Sequence, residues 1–108
     1  NDPEETLQDE ATSIQIIAGD EDLKGRYANL MSLSHTGEEF VLDFFSVTPS
    51  SSGQARGTLV SRVVTSPPHF KRIVAALGDN LNKYEAQFGD IEEPRGQFPD
   101  PEDIGFIH

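Results

Sequence analysis

The strongest constraint on the fold is Ser66-Pro67-Pro68, which separates a strand-forming part of the chain from a helix-forming part. A serine hydroxyl can cap the start of a helix, and proline fits the first helical position, where a backbone N–H would have no partner. Gly89 lies where a terminating glycine is expected. The sequence therefore predicts one helix from Pro67 to about Phe88.

Large apolar residues recur along this helix at alternating spacings of four and three residues, which is a heptad pattern. We call this set the helix seam; it consists of Phe70, Val74, Leu77, Leu81, Tyr84 and Phe88, with Ile73 on its flank. Covering one face of a sheet is the favoured use of the seam, and contact with the helix of a second copy is the alternative. Gly78 lies inside the helix, where glycine costs up to ~1 kcal/mol relative to alanine, which suggests close approach of another backbone.

Three segments upstream of the helix have the residue pattern of β-strands. They are Tyr27–His35, Phe40–Val47 and Thr58–Thr65, and a shorter β-prone run covers Ile14–Ile17. Turn-forming residues follow His35, and the loop from Thr48 to Gly57 lets the second and third strands pair antiparallel. The residues from Asp20 to Asp22 are predicted as a polar loop. The predicted fold is α+β, an antiparallel β-meander of three to four strands followed by one long C-terminal helix.

The second predicted strand has apolar residues on both of its faces. Phe40, Leu42 and Phe44 share one face, while Phe45 and Val47 lie on the other. A strand buried on one side only would alternate cleanly between apolar and polar residues, so this strand needs cover on both sides. One helix can cover one face of such a sheet, and a second copy of the chain is the simplest cover for the other. We therefore predict a homodimer.

The negative charge lies almost entirely outside the patterned block. Residues 1–26 carry 8 acidic and 2 basic residues, residues 27–89 carry 5 of each, and residues 90–108 carry 6 and 1, for a net charge of −11. We expect an acidic disordered segment at 1–13, one α+β domain at 14–91 and an extended acidic tail at 92–108. No apolar run is long enough to span a membrane and the N-terminus lacks a signal-peptide pattern, so we expect a cytoplasmic protein without membrane contact.

The predicted C-terminal tail carries large apolar residues among its acids and prolines. They are Phe98, Ile104, Phe106 and Ile107. Acids interleaved with apolar anchors are typical of a short docking peptide, which makes these four the candidate partner-binding residues. The alternative, that the same residues fold back onto the domain or pair with a sheet edge, is equally compatible with the sequence.

No motif indicates catalysis or a cofactor. The chain has no cysteine, which excludes disulfides and thiolate metal sites. His35, His69 and His108 do not have the spacing of a local metal site, and no nucleophile motif accompanies them. We predict no catalytic, cofactor-binding or metal-binding residues.

Nucleic-acid binding is the second hypothesis. Arg56, Arg62, Lys71 and Arg72 could form a small basic patch, in which Lys71 and Arg72 combine across a dimer, but the net charge of −11 opposes a phosphate backbone at long range. Antiparallel pairing of the second and third strands would also place Arg62 near Asp43, where we expect an ordinary cross-strand ion pair.

Short motifs along the block resemble a known family. They are Tyr27-Ala28-Asn29, His35-Thr36, Glu39-Phe40 followed by Leu42-Asp43-Phe44, Ser61-Arg62-Val63-Val64, Ser66-Pro67, His69, Lys71, Asn80, Tyr84-Glu85 and Phe88-Gly89. In order and spacing they resemble, over roughly residues 25–91, a family of short prokaryotic proteins catalogued as a domain of unknown function. The resemblance implies a compact β-then-α domain and assigns no activity. It also implies that Asn29, His35, Asp43, Arg62 and His69 have specific roles.

These patterns together favour a small non-enzymatic homodimeric module that acts through protein contacts as an adaptor or accessory protein. Its predicted partners are a second copy of itself and another protein, with the C-terminal tail as the candidate contact segment. The alternative is a nucleic-acid-associated regulator whose acidic tails modulate binding.

Overall fold

The computed structural model describes residues 13–50 and 52–93 and shows an α+β architecture. Its elements are α1 (Asp20–Lys24), β1 (Leu30–His35), β2 (Phe40–Pro49), β3 (Ala55–Thr65) and α2 (Pro67–Phe88). The predicted meander followed by one long helix is confirmed. Residues 1–12 and 94–108, which include most of the predicted tails, lie outside the described residues, so those predictions and the domain boundaries stay predictions.

The three strands form one antiparallel sheet in the order β1-β2-β3. Leu42 on β2 lies opposite Leu33 on β1 and Val63 on β3, and residues directly opposite each other share a face. We call the face on which Phe40 meets α2 the helix-side face. It contains Met31, Leu33, Phe40, Leu42, Phe44 and Val63, and the opposite face contains Asp43, Phe45, Val47, Leu59, Arg62 and Val64. The register shifts between Phe44 and Phe45, which makes Val60 the extra residue of a β-bulge on β3.

Burial within a single chain is confined to the central strand. Leu42, Phe45, Val47 and Asp43, all on β2, are the buried residues of the described chain. Leu33 on β1 and Val63 on β3 are each 43% exposed on the helix-side face, and Val64 is 53% exposed on the opposite face. Both faces of β2 are therefore apolar as predicted, but one chain covers them only at the centre of the sheet.

The long helix begins and ends at the predicted signals. The Ser66 hydroxyl oxygen accepts a weak hydrogen bond of 3.4 Å from the His69 backbone N–H, and Pro67 opens the helix. Gly89 follows the last turn with φ of 92°, and its N–H donates to the Glu85 carbonyl over 2.9 Å. A positive φ favours glycine, which explains why the helix ends there.

The favoured prediction, that the helix seam covers one face of the sheet, is wrong for a single chain, because α2 does not lie over its own sheet. No residue of α2 is buried. Phe70 stacks on Phe40 with ring centroids 4.0 Å apart, but Leu77 and Phe88 further along are 64% and 65% exposed. The helix therefore meets the sheet through its first turn, at the end of β3, and extends away from it. Local spacing predicted the apolar stripe correctly and could not predict its direction.

Several local boundaries differ from the prediction. β1 begins at Leu30 and not at Tyr27, and the predicted ten-residue loop shrinks because β2 extends to Pro49 and β3 begins at Ala55. The polar loop predicted from Asp20 is the short helix α1, whose first turn is acidic and therefore suits the positive end of the helix dipole. The run Ile14–Ile17 is exposed and lies outside the sheet, so the sheet has three strands among the described residues.

Candidate functional site

Asn29 continues the β1–β2 pairing beyond the point where β1 begins. Its backbone N–H donates to the Phe45 carbonyl over 3.0 Å. Its side chain extends the pairing to Val47, because Nδ2 donates to the Val47 carbonyl over 3.0 Å and Oδ1 accepts from the Val47 N–H over 2.8 Å. An asparagine amide carries both a donor and an acceptor, so it can replace a backbone peptide group at a strand end. The role of Asn29 is structural.

Asp43 and Arg62 form a bidentate ion pair across β2 and β3. Arg62 Nε donates to Asp43 Oδ1 over 2.6 Å, and Nη2 donates to Oδ2 over 2.8 Å. The two residues are direct partners in the strand register, so the predicted cross-strand pair is confirmed. Asp43 is 4% exposed, whereas half of the Arg62 side chain remains in solvent. The carboxylate therefore has a fixed partner on a face that is otherwise largely apolar.

The ion pair keeps Asp43 ionised despite its burial. The hydrogen bonds from the Arg62 guanidinium lower the pKa of Asp43 below its ordinary 3.8, and the attraction of the positive charge acts in the same direction. Burial alone would raise that pKa, and it is outweighed here. The same contact raises the pKa of Arg62 above its ordinary value. A permanently paired carboxylate is suited to structure and not to proton transfer.

Three aromatic rings connect the sheet to the start of α2. The His35 ring lies 5.3 Å from the Phe40 ring, which in turn stacks on Phe70 at an interplanar angle of 5°. His69, the other histidine of the resemblance, contributes its backbone N–H to the Ser66 cap. The sequence did not predict the contact between Phe40 and Phe70, because it joins two elements thirty residues apart in the chain.

The largest unused apolar surface is the remainder of the helix seam. Val74, Leu77, Leu81, Tyr84 and Phe88 are 53%, 64%, 46%, 49% and 65% exposed. An aromatic side chain offers ~150–250 Å², so the two rings together leave on the order of 200 Å² in water. Tyr84 and Phe88 also contact each other, with centroids 4.9 Å apart. A continuous apolar stripe of this kind marks an interaction surface, and we take it as the candidate functional site.

An open cleft of about 510 Å³ lies between α1 and the bulged part of the sheet. Its lining includes Glu21, Asp22, Arg26, Phe44, Val60 and Ser61. Arg26 donates to the Val60 carbonyl over 3.0 Å, Glu21 pairs with Lys24, and the Asp22 carboxylate caps α1. The charged groups of the cleft are engaged within the chain, so they offer a ligand little specific chemistry.

Within 13–50 and 52–93, no three His, Asp or Glu side chains come together in a group that could hold a metal ion. In the same part of the chain, no helix combines the length and apolar composition required to cross a bilayer.

The four bases of the nucleic-acid hypothesis do not come together in one chain. Arg56 lies opposite Thr48, and Arg62 lies opposite Asp43. Thr48 and Asp43 are an odd number of positions apart on β2, so the two arginines are on opposite faces of the sheet. Arg62 is already bound to Asp43.

Lys71 and Arg72 are the other two residues of the predicted basic patch. Both are exposed near the start of α2. The four predicted partner-binding residues, Phe98, Ile104, Phe106 and Ile107, lie outside the described residues.

Comparison with known proteins places the chain in a family and no further. The model of a protein family of unknown function matches residues 1–93. The match begins at the N-terminus, so it is wider than the block of residues 25–91 that the motifs indicated. No curated protein and no solved structure gave a significant match.

Proposed function

The chain belongs to the DUF3467 family, and we propose that it acts as a homodimeric protein-interaction module, an adaptor or accessory protein without catalysis of its own. The observation that carries this proposal is the distribution of apolar surface. The buried residues of the described chain all lie on β2, while the helix seam beyond Phe70 remains about half exposed or more. Monomeric soluble proteins rarely expose contiguous apolar patches of this kind.

The small size of the domain supports assembly. A domain of this length buries only ~60% of the surface that its unfolded chain exposes, and small domains are often stabilised by disulfides, metals or a partner subunit. The chain has no cysteine, and its described residues contain no metal-ligand cluster. A second copy of the chain remains as the source of additional burial.

The contact with a different protein is proposed to use the C-terminal segment. Phe98, Ile104, Phe106 and Ile107 supply apolar anchors between acidic residues and prolines, a composition typical of short docking segments. In this proposal the dimer presents two copies of the segment, so a partner with two sites gains avidity.

The mass of the protein in solution tests the proposal. We expect light scattering after size-exclusion chromatography to give twice the mass of one chain at micromolar concentration, because the exposed seam needs a partner. A matched pair of variants identifies the cause: Leu77→Ser removes an apolar seam residue, while Ala75→Ser makes a similar polar change on an exposed position off the seam. A monomeric wild type at every accessible concentration would contradict the proposal.

A further inference from the structure

We infer that two copies associate through antiparallel pairing of α2, in one register that sets Leu77 of each helix against Leu81 of its partner. This inference rests on the proposed homodimer and names its contact surface. The surface is the helix seam, which the described residues 13–50 and 52–93 leave exposed from Val74 onward. The occupant is the same seam on a second copy.

The heptad spacing limits the possible registers. The seam residues alternate between the two core positions of a heptad, a and d. In an antiparallel pair, an a residue of one helix faces a d residue of the other. Setting Leu77 against Leu81 also sets Phe70 against Phe88 and Val74 against Tyr84, which uses all six seam residues. A shift by one heptad in either direction leaves seam residues without a helical partner. Maximal burial therefore selects this register.

Charge complementarity selects the same register independently. Lys71 and Glu85 both flank the seam on the same side, and this register brings Lys71 of one helix beside Glu85 of the other. They cannot pair within one chain, because fourteen residues of helix hold them about 21 Å apart. Two symmetry-related ion pairs result, one at each end of the contact. A parallel pair would instead set Ile73 against Gly78 and Asn80 against Glu85, with no opposite charges.

Gly78 lies on the same flank of the seam, near the two-fold axis of this pair. A Cβ placed on Gly78 would meet nothing within 4 Å in the single chain, so no contact within the chain requires glycine there. In the antiparallel pair Gly78 faces Gly78 of the second copy, where the absence of a side chain lets the two backbones approach closely. Close packing of the two helices in the dimer thus explains a glycine that lowers the stability of the helix.

The position of the sheets also favours the antiparallel arrangement. Each α2 is attached to its own sheet through Phe70 and Phe40 at one end. Antiparallel helices keep the two sheets at opposite ends and oppose the two helix dipoles, whereas parallel helices would place both sheets at the same end. In the antiparallel pair, Phe88 of the second copy arrives beside Phe70, so the end of each helix extends the aromatic stack on the sheet of the other.

Disulfide trapping tests the register, because the natural chain has no cysteine. Asn80 flanks the seam opposite Gly78, so Asn80→Cys faces its own copy across the axis and should form an interchain disulfide under mild oxidation. Val74→Cys should not, because its counterpart there is Tyr84; it would cross-link only in a parallel pair, where each seam residue faces its own copy. Asp79→Cys lies on the outer face of the helix and serves as the matched control.

Charge reversal gives a second measurement that needs no oxidation. Lys71→Glu and Glu85→Lys should each raise the dimer Kd roughly tenfold, because each change replaces two attractions by two repulsions. The double variant K71E/E85K should restore the Kd to near that of the wild type. Lys83→Glu makes the same charge change as Lys71→Glu off the seam and should leave the dimer intact.

The outcomes separate this inference from the proposed function. Asn80→Cys cross-linking together with rescue by the double charge reversal supports the antiparallel pair. A dimer in which neither Asn80→Cys nor Val74→Cys cross-links and the charge reversals do not couple overturns the inference, since the contact then lies outside the helix seam, while the proposed function stands. Cross-linking by Val74→Cys overturns it in favour of a parallel pair. A monomer overturns both.

Discussion

Asn29, just before β1, and Asp43, on β2, each stabilise the sheet through hydrogen bonds that match donors with acceptors. Asn29 pairs with the Val47 backbone through both ends of its amide. Asp43 receives two hydrogen bonds from Arg62 and is almost fully buried. Burial of a carboxylate is tolerated when a charged partner satisfies it. These hydrogen bonds give each of the residues a structural role in the fold.

The lowered pKa of Asp43 predicts how stability depends on pH. Above its ordinary pKa of 3.8 the carboxylate is ionised in both the folded and the unfolded chain, so the ion pair contributes fully. As the pH falls through the lowered pKa of the folded state, Asp43 becomes protonated and that contribution is lost. We expect the melting temperature of the wild type to fall more steeply below about pH 4 than that of Asp43→Asn.

Circular dichroism melts from about pH 7 to about pH 3 would measure the difference. Asp79→Asn, a matched change at an exposed helical position, controls for general titration of carboxylates. Parallel pH profiles for the wild type and Asp43→Asn would contradict the predicted role of the ion pair.

At the scale of elements, α2 has two different parts. Its first turn is attached to the sheet by the stack of Phe70 on Phe40, and the remainder carries the exposed seam. The first and last residues of α2 are set by local capping signals, namely Ser66, Pro67 and Gly89. Its direction depends on long-range contacts such as that of Phe70 with Phe40, which neither spacing nor propensity reveals.

Gly78→Ala distinguishes the effect of this residue on the stability of the unpaired helix from its effect on the contact between two helices. Alanine should stabilise an unpaired helix by up to ~1 kcal/mol. At a close helix-to-helix contact the added methyl group should instead weaken association, so we expect a higher dimer Kd together with a more helical monomer. Sedimentation equilibrium measures the first effect, and circular dichroism of dilute protein measures the second.

Asp79→Ala is the matched control for this prediction. It also introduces a strong helix former, but on the outer face of α2, and should leave the Kd unchanged. A dimer strengthened by Gly78→Ala would show that no close approach occurs at this position.

At the scale of the whole molecule, a small balanced block lies between two acidic segments. Residues 27–89 have equal numbers of acidic and basic residues, whereas the flanking segments hold the net charge of −11. The family match covers residues 1–93, so it leaves the last fifteen residues outside. The segment with apolar anchors thus lies outside the family match.

Removal of residues 94–108 tests what that segment does. As the proposed docking segment, it should be dispensable for stability, so the truncated protein should keep its melting temperature and its dimer mass while losing a captured partner protein. The substitutions Ile104→Ser, Phe106→Ser and Ile107→Ser in the full chain should have the same effect as truncation. A large fall in melting temperature would show instead that these residues fold back onto the domain.

The sequence alone determined the features of the fold that depend on local chemistry and on short connections between elements. It predicted the ends of α2 from its capping residues, the order of the strands from their turns, and the pairing of Asp43 with Arg62 from the antiparallel hairpin, all of which the structure confirms. Only the tertiary structure decided that α2 leaves the sheet after Phe70 and that a side chain at Asn29 continues the pairing. Those outcomes depend on contacts between residues distant in sequence, and a heptad pattern is the same whether its apolar face meets a sheet or another helix.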